Sequence, residues 1–210
     1  MARDGILESM MSKEIQPNPP FVLAPLLAIP PRVIETDRLQ LRALELGDGQ
    51  LLFNLYAHDP AICRYMSFKV DGKVETSEAF VRMVVDSFAG RYNGKAMFSW
   101  VIQLKETGEY IGSAGFGPSN ATTVAGGYIL NPKFWGKKYA SEVWRALVKI
   151  AQEDPGVKRI EANHHPDNPA SGKVMQAAGM ILSEKRTKAA MFPNLSDDLQ
   201  DEVVYAWTRP

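Results

Sequence analysis

Residues 131–152, NPKFWGKKYASEVWRALVKIAQ, constrain the fold more than any other stretch of this chain. Ala140, Val143, Trp144, Leu147, Val148 and Ala151 recur at the spacing of one helical stripe, so they predict an amphipathic helix with its apolar face on a core. Just upstream, Gly127-Tyr128-Ile129-Leu130 reads as a strand that Asn131-Pro132 ends. The connecting turn, Trp135-Gly136-Lys137-Lys138-Tyr139, brings unpaired N–H groups, a positive helix end and two ammonium groups to the end of that strand. Such a turn is an anion site suited to a phosphate or pyrophosphate.

The rest of the chain allows one domain around this unit. A chain of 210 residues supports a sizeable core. Its 24 basic and 24 acidic side chains leave no net field to hold nucleic acid or an anionic membrane nonspecifically, and neither is expected as a partner. Cys63 is the single cysteine; it fits a reducing, cytoplasmic setting and reads as a small buried hydrophobe rather than a nucleophile. Residues 1–31 hold six of the fourteen prolines and predict an extended arm over a domain formed by residues 32–210. The apolar run at residues 21–29 is broken by Pro25, is too short to span a bilayer, and follows Asp4, Glu8 and Glu14, unlike a signal peptide. His58, His164 and His165 have no spacing that makes a metal site.

In chain order, Leu39 and Leu41 alternate with polar residues and predict one strand over residues 34–42. Two helices follow, the first capped by Asp48 with a stripe of Leu51, Leu52, Leu55 and Tyr56, the second with Val81, Val84, Val85 and Phe88. Strands are expected at residues 97–104, 110–116 and 122–130, then the helix above, a strand at 157–164, and a helix at 170–178 stopped by Gly179. Two last strands at 180–186 and 202–208 complete an α+β domain. Its expected core is a mixed, mostly antiparallel sheet of about seven strands with helices on both faces.

With that order, three blocks resemble the GNAT superfamily of acyl-CoA-dependent N-acetyltransferases, in the branch related to bacterial acetyltransferases of ribosomal-protein N-termini. They are ETDRLQLR at residues 35–42, GYILNPKFWGKKYASE at 127–142, and RIEA at 159–162 running to NPASGKVMQAAGM at 168–180. The resemblance spans residues 34–208 and implies acetyl-CoA as cofactor, with pantetheine in a gap between the strand ending at Leu130 and the one ending near His164. The family's pyrophosphate loop, Gln/Arg-x-x-Gly-x-Gly/Ala, falls on Trp135 to Ala140 and puts Lys138 in a glycine slot. A helical first-turn conformation is open to lysine, which would either displace the pyrophosphate slightly or supply its ammonium in exchange for close backbone approach. The residues implied to bind cofactor are Ile129, Leu130, Trp135, Gly136, Lys137, Lys138, Tyr139, Ala140, Asn168, Ser171 and Lys173.

Amide formation needs a neutral amine, and an alkylamine near pH 7 is mostly protonated. By resemblance, a backbone N–H near Ile129 or Leu130 meets the acyl oxygen, and Ser171 or a nearby tyrosine protonates the departing thiolate. The glutamate common in the family before Gly-Tyr is replaced by Ala125-Gly126, which leaves His164 and His165 as candidate bases on opposite faces of one strand. The acceptor is expected to be a primary amine, on a protein N-terminus or a small molecule. Its pocket would draw on the Tyr65–Phe68 connector and a late loop at residues 187–201. A second reading is a non-catalytic acyl-CoA-binding domain of the same fold, motivated by Lys138 and the missing glutamate. A third, an unrelated phosphate-binding protein, lacks the usual glycine-rich nucleotide motifs. Either a monomer or a homodimer fits.

Overall fold

The alternation over residues 34–42 folds as two strands, because the chain reverses between them. Thr36 donates its N–H to the Leu39 carbonyl (2.9 Å), so β1 (Val33–Glu35) and β2 (Leu39–Ala43) pair antiparallel and the sheet gains a strand. The computed structural model describes residues 28–92 and 96–210, so the arm expected at residues 1–31 lies almost wholly outside it. The described end of the arm is tied down: Ala28 N–H donates to Asp154 (2.9 Å) and Trp100 Nε1 to the Pro31 carbonyl (3.0 Å).

Helix α1 (Asp48–Leu52) runs on into a wider π-helical turn at Phe53–Ala57, and α2 spans Val74–Phe88. Leu52, Tyr56, Val81, Val84 and Phe88 are buried as the stripes require. Asp48 does not cap α1. Gly47 occupies the cap position, and the Asp48 carboxylate takes both guanidinium nitrogens of Arg42 (2.9 and 3.0 Å) and the Glu45 N–H (2.7 Å). A paired, charge-assisted contact outcompetes a single cap bond.

The meander β3 (Phe98–Leu104), β4 (Tyr110–Pro118) and β5 (Thr123–Leu130) leads into α3 (Tyr139–Glu153), with a short 3₁₀ turn at Pro132–Phe134 between them. Val143, Trp144, Leu147, Val148 and Ala151 of α3 are buried. Then come β6 (Arg159–His164), α4 (Pro169–Ala177), β7 (Ile181–Ala190) and β8 (Gln200–Thr208). Gly179, at φ +82°, ends α4 in the left-handed conformation expected of it. The eight strands lie in the order β1-β2-β3-β4-β5-β6-β8-β7, with β5 and β6 the one parallel pair. Helical elements cover both faces. Ser113 of β4, paired with Ile129, bonds Tyr56 (2.7 Å), while the next residue of β5, Tyr128, points the other way and packs on Trp144 of α3.

Candidate active site

Parallel strands β5 and β6 pair at only three positions, Thr123 with Arg159, Val124 with Ile160 and Ala125 with Glu161. Beyond Ala125 the strands part, and β5 presents a free backbone edge inside the molecule. Which groups face that edge follows from the ladder on its other side. Asn131 N–H donates to the Ile111 carbonyl of β4 (2.9 Å), and antiparallel bonds alternate, so Ile129 and Gly127 also turn toward β4. Gly126, Tyr128 and Leu130 therefore turn their backbone groups to the gap. The Leu130 carbonyl is engaged there by the Trp135 indole N–H (2.9 Å). Of the two N–H groups expected at the acyl oxygen, Leu130 has the right direction and Ile129 does not. Gly127 has nothing within 4 Å of where a Cβ would stand, so the sheet face beside this edge is uncovered there.

The turn after β5 gathers backbone donors that have no partner among the described residues. The N–H groups of residues 136–141 donate to no protein acceptor among the described residues, because the first helical bond of α3 runs from Glu142 N–H to the Lys138 carbonyl (3.2 Å). Gly136 (φ +75°) and Lys138 (φ +64°, ψ +12°) are both left-handed, which curls successive N–H groups toward one centre. Lys138 therefore does not take the helical first-turn conformation that was open to it. It is the N-cap residue, and a Cβ there is strained at a position that suits glycine.

A carboxylate from α3 fixes this turn to the start of the sheet. Glu142 accepts from the Thr36 hydroxyl (2.6 Å), the Arg38 N–H (2.9 Å) and Arg38 Nε (2.7 Å), and Arg38 also donates to the Lys137 carbonyl (3.1 Å). The Arg38 guanidinium lies over the Tyr139 ring at 4.5 Å. Burial by itself would raise the Glu142 carboxyl; the bonds from Thr36 and Arg38 outweigh it and hold the group below its ordinary range. Arg38, Thr36 and Glu142 were within the blocks that carried the resemblance, yet no spacing rule connects residues about a hundred positions apart.

Across the gap, the first turn of α4 supplies a hydroxyl with its hydrogen to spare. Ser171 Oγ accepts from Tyr128 Oη (3.1 Å) and from Asn168 Nδ2 (3.2 Å), so its own proton remains available to a third group. Burial pushes the Tyr128 phenol up to about 12, with the Ser171 bond acting the other way, which keeps Tyr128 a donor at neutral pH. Tyr128 escaped sequence reading as a site residue. Two other tyrosines lie elsewhere: Tyr139 under Arg38 and Tyr205 against His164 (5.9 Å between rings).

His164 and His165 are both buried and point to opposite faces, as alternation requires. His164 Nδ1 bonds the His165 carbonyl (2.7 Å), which assigns the proton to Nδ1, and its Nε2 faces Gly172 of α4. His165 Nδ1 accepts the Asp167 N–H (3.1 Å), so the neutral ring carries its proton on Nε2. Its ring stacks on Tyr65 (5.3 Å) and meets Phe192 edge-on (5.3 Å). Tyr65 and Phe192 belong to the connector and the late loop, which Asn194 clips together: its Oδ1 accepts the Val70 N–H, and its Nδ2 donates to the Cys63 and Phe68 carbonyls, each at 2.8 Å. The late loop is shorter than expected, because β7 extends to Ala190 and β8 begins at Gln200. Lys173 stands apart from Ser171, lining a cavity on the other side of α4. Cys63 is buried, and burial pushes its thiol up to about 12. Among the described residues no cluster of three potential metal ligands occurs, and no helix is long and apolar enough to cross a membrane.

A free strand edge leading to a helix start with unpartnered N–H groups fits an acyl-CoA, and comparison with known proteins agrees. A family model described as "Acetyltransferase (GNAT) domain" matches residues 38–181. The "Uncharacterized N-acetyltransferase p20" of Bacillus licheniformis is 31% identical over 164 residues, covering 74% of this chain and 89% of that protein. The crystal structure of a GNAT-family acetyltransferase from Bacillus anthracis superposes with a TM-score of 0.68 at 26% identity, over 84% of this chain and 98% of that one. RimL, a ribosomal L7/L12 α-N-protein acetyltransferase solved in complex with coenzyme A, superposes with a TM-score of 0.71 at 20% identity, over 84% and 97%. The parted strands, the open N–H groups at the start of α3 and the family match together make this chain a member of the GNAT family, an acetyltransferase whose cofactor is acetyl-CoA.

Proposed function

We propose that this protein moves the acetyl group of acetyl-CoA to a primary amine by direct attack in a ternary complex, with no covalent enzyme intermediate. The observation that carries this reading is the pairing of the open β5 edge with Ser171, whose oxygen already accepts two hydrogen bonds and whose proton is unspent. Acetyl-CoA supplies an activated thioester. The chain's own groups do the rest. The N–H groups of Gly136, Lys137, Lys138, Tyr139 and Ala140, with the Lys137 and Lys138 ammonium groups, hold the pyrophosphate. Trp135 anchors the loop through Leu130, and Leu130 N–H polarises the acyl oxygen from the gap. Asn168 and Tyr128 orient Ser171, which hands its proton to the departing sulfur and regains one, through water, from the attacking amine.

The amine's proton takes a different route from the one that two adjacent histidines suggest. The free nitrogen of His164 faces α4, and His165 keeps its proton on the only nitrogen not already bonded, so neither offers a free lone pair to the acceptor. We assign His165 the task of holding Tyr65 and Phe192 over the acceptor side, and deprotonation to water. The acceptor is the α-amine of a peptide or a small alkylamine. Purified protein with acetyl-CoA, assayed for thiol release against N-terminal peptides and polyamines with product mass spectrometry, separates the two. Thiol release that no amine accelerates would sink the reading.

A further inference from the structure

A second pocket lies on the far side of α4. Its volume is about 360 Å³, and its walls are α4, the end of β6 and the β7–β8 hairpin, with His164, Lys173, Gln176, Lys185 and Tyr205 as its polar members. That volume is at the small end of the roughly 300–1,000 Å³ range of small-molecule sites. Pro169, Gly172, Lys173 and Gln176 share this side of the helix, and Ser171 lies about 150° round from its centre, so the pocket is separate from the β5 edge.

The lining has one sign of charge. Two ammonium groups, Lys173 from α4 and Lys185 from β7, face it; no carboxylate does, and among the described residues neither lysine has an acidic partner within 4.0 Å. Tyr205 accepts a hydrogen bond from Gln176 Nε2 (3.2 Å) and so keeps its own hydroxyl hydrogen to donate. Gly172 lets α4 lie close against the floor: a Cβ there would stand 2.8 Å from His164 Nε2 and 3.3 Å from the Tyr205 hydroxyl, closer than packing allows. A glycine inside a helix costs about 0.5–1 kcal/mol against alanine, a cost tolerated here where the helix backbone approaches the His164 and Tyr205 rings.

We propose that this pocket binds a small, multiply charged anion, a phosphate monoester or a di- or tricarboxylate, at a site distinct from that of acetyl-CoA. Lys173 and Lys185 supply the charge and Tyr205 a directed donor. The site does not depend on which amine the enzyme acetylates.

The test uses full-length protein saturated with coenzyme A, so that the start of α3 is occupied, titrated calorimetrically with inorganic phosphate and, separately, with citrate. One saturable site for at least one probe is expected, and which probe binds identifies the ligand class. Lys185→Glu should weaken that binding by more than about tenfold and Tyr205→Phe by about tenfold, with coenzyme A affinity unchanged, as loss of a charge-assisted contact requires. Lys185 is exposed on an edge strand, so its variant should keep its melting temperature, and Lys185→Gln repeats the test without adding a negative charge. No saturable binding of either probe below about 10 mM, or unchanged affinity in both Lys185 variants, overturns the proposal.

Discussion

Lys138→Gly should make the protein more stable while costing the cofactor little. Lys138 sits at φ +64° and ψ +12°, where an L-residue pays about 1–2 kcal/mol for the contact between its Cβ and the backbone. Glycine removes that strain but adds about 0.5–1 kcal/mol of unfolded-state entropy, for a net gain of about 0.5–1 kcal/mol. In a chain of 210 residues this corresponds to a rise in melting temperature of about 1–4 °C. Lys138→Ala keeps the Cβ and the strain, so its melting temperature should stay near that of the parent. The two variants divide the other way on coenzyme A. Both lose an exposed ammonium, worth up to about 1 kcal/mol or fivefold in affinity. Glycine alone lets phosphate oxygens come closer to the free N–H groups, which returns about 0.5–1.5 kcal/mol. Thermal denaturation and calorimetric titration of all three proteins measure both quantities. Alanine neutral toward coenzyme A together with glycine harmful to stability or binding would refute the placement of the pyrophosphate at this turn.

Ser171→Ala should lower turnover on the order of 10²-fold at saturating amine while leaving coenzyme A affinity nearly unchanged, since the hydroxyl matters as charge develops on sulfur; equal losses in both make it a binding residue only. Tyr128→Phe leaves Ser171 with one orienting donor, so kcat should fall by a smaller factor, roughly 3- to 10-fold, and an undiminished kcat shows that Asn168 suffices. Glu142→Gln should loosen Arg38 and destabilise the fold by about 1–2 kcal/mol at pH 7 in urea titration, with weaker coenzyme A binding. Because the folded Glu142 carboxyl is held below 4.5, its contribution is complete above that pH and lost as pH falls through the folded value, so parent and variant should converge in acid. At the alkaline end Cys63 and Tyr128 are raised to about 12 from 9 and 10, so stability should hold to pH 9 and decline from there to 12, with a later onset in Cys63→Ala.

Wherever a feature depends on neighbours along the chain, the sequence alone determined it. The stripe on α3, the alternation of β2, the stop at Gly179 and the cationic turn after Leu130 are one- to four-residue patterns governed by helix and strand periodicity and by backbone sterics. The parting of β5 from β6 and the roles of Ser171 and Asn168 came from a resemblance, because no local rule says where two strands stop pairing. Other features were decided by how side chains meet in the folded structure. Residues 34–42 split into two strands around a turn whose Thr36 and Arg38 are held by Glu142. Asp48 left its cap position for Arg42, six residues earlier, which the bend between β2 and α1 brings within reach. Tyr128 reached Ser171 because α4 folds back over the end of β5, while His165 Nδ1 spends its lone pair on the Asp167 N–H and the bond from His164 Nδ1 to the His165 carbonyl leaves the His164 lone pair on Nε2, facing α4. Lys138 took a left-handed backbone that its residue type disfavours. A helix anchored by its buried stripe and a loop anchored by Trp135 and Arg38 leave one conformation to the residue that joins them, and tertiary packing outweighs a local cost of 1–2 kcal/mol, roughly.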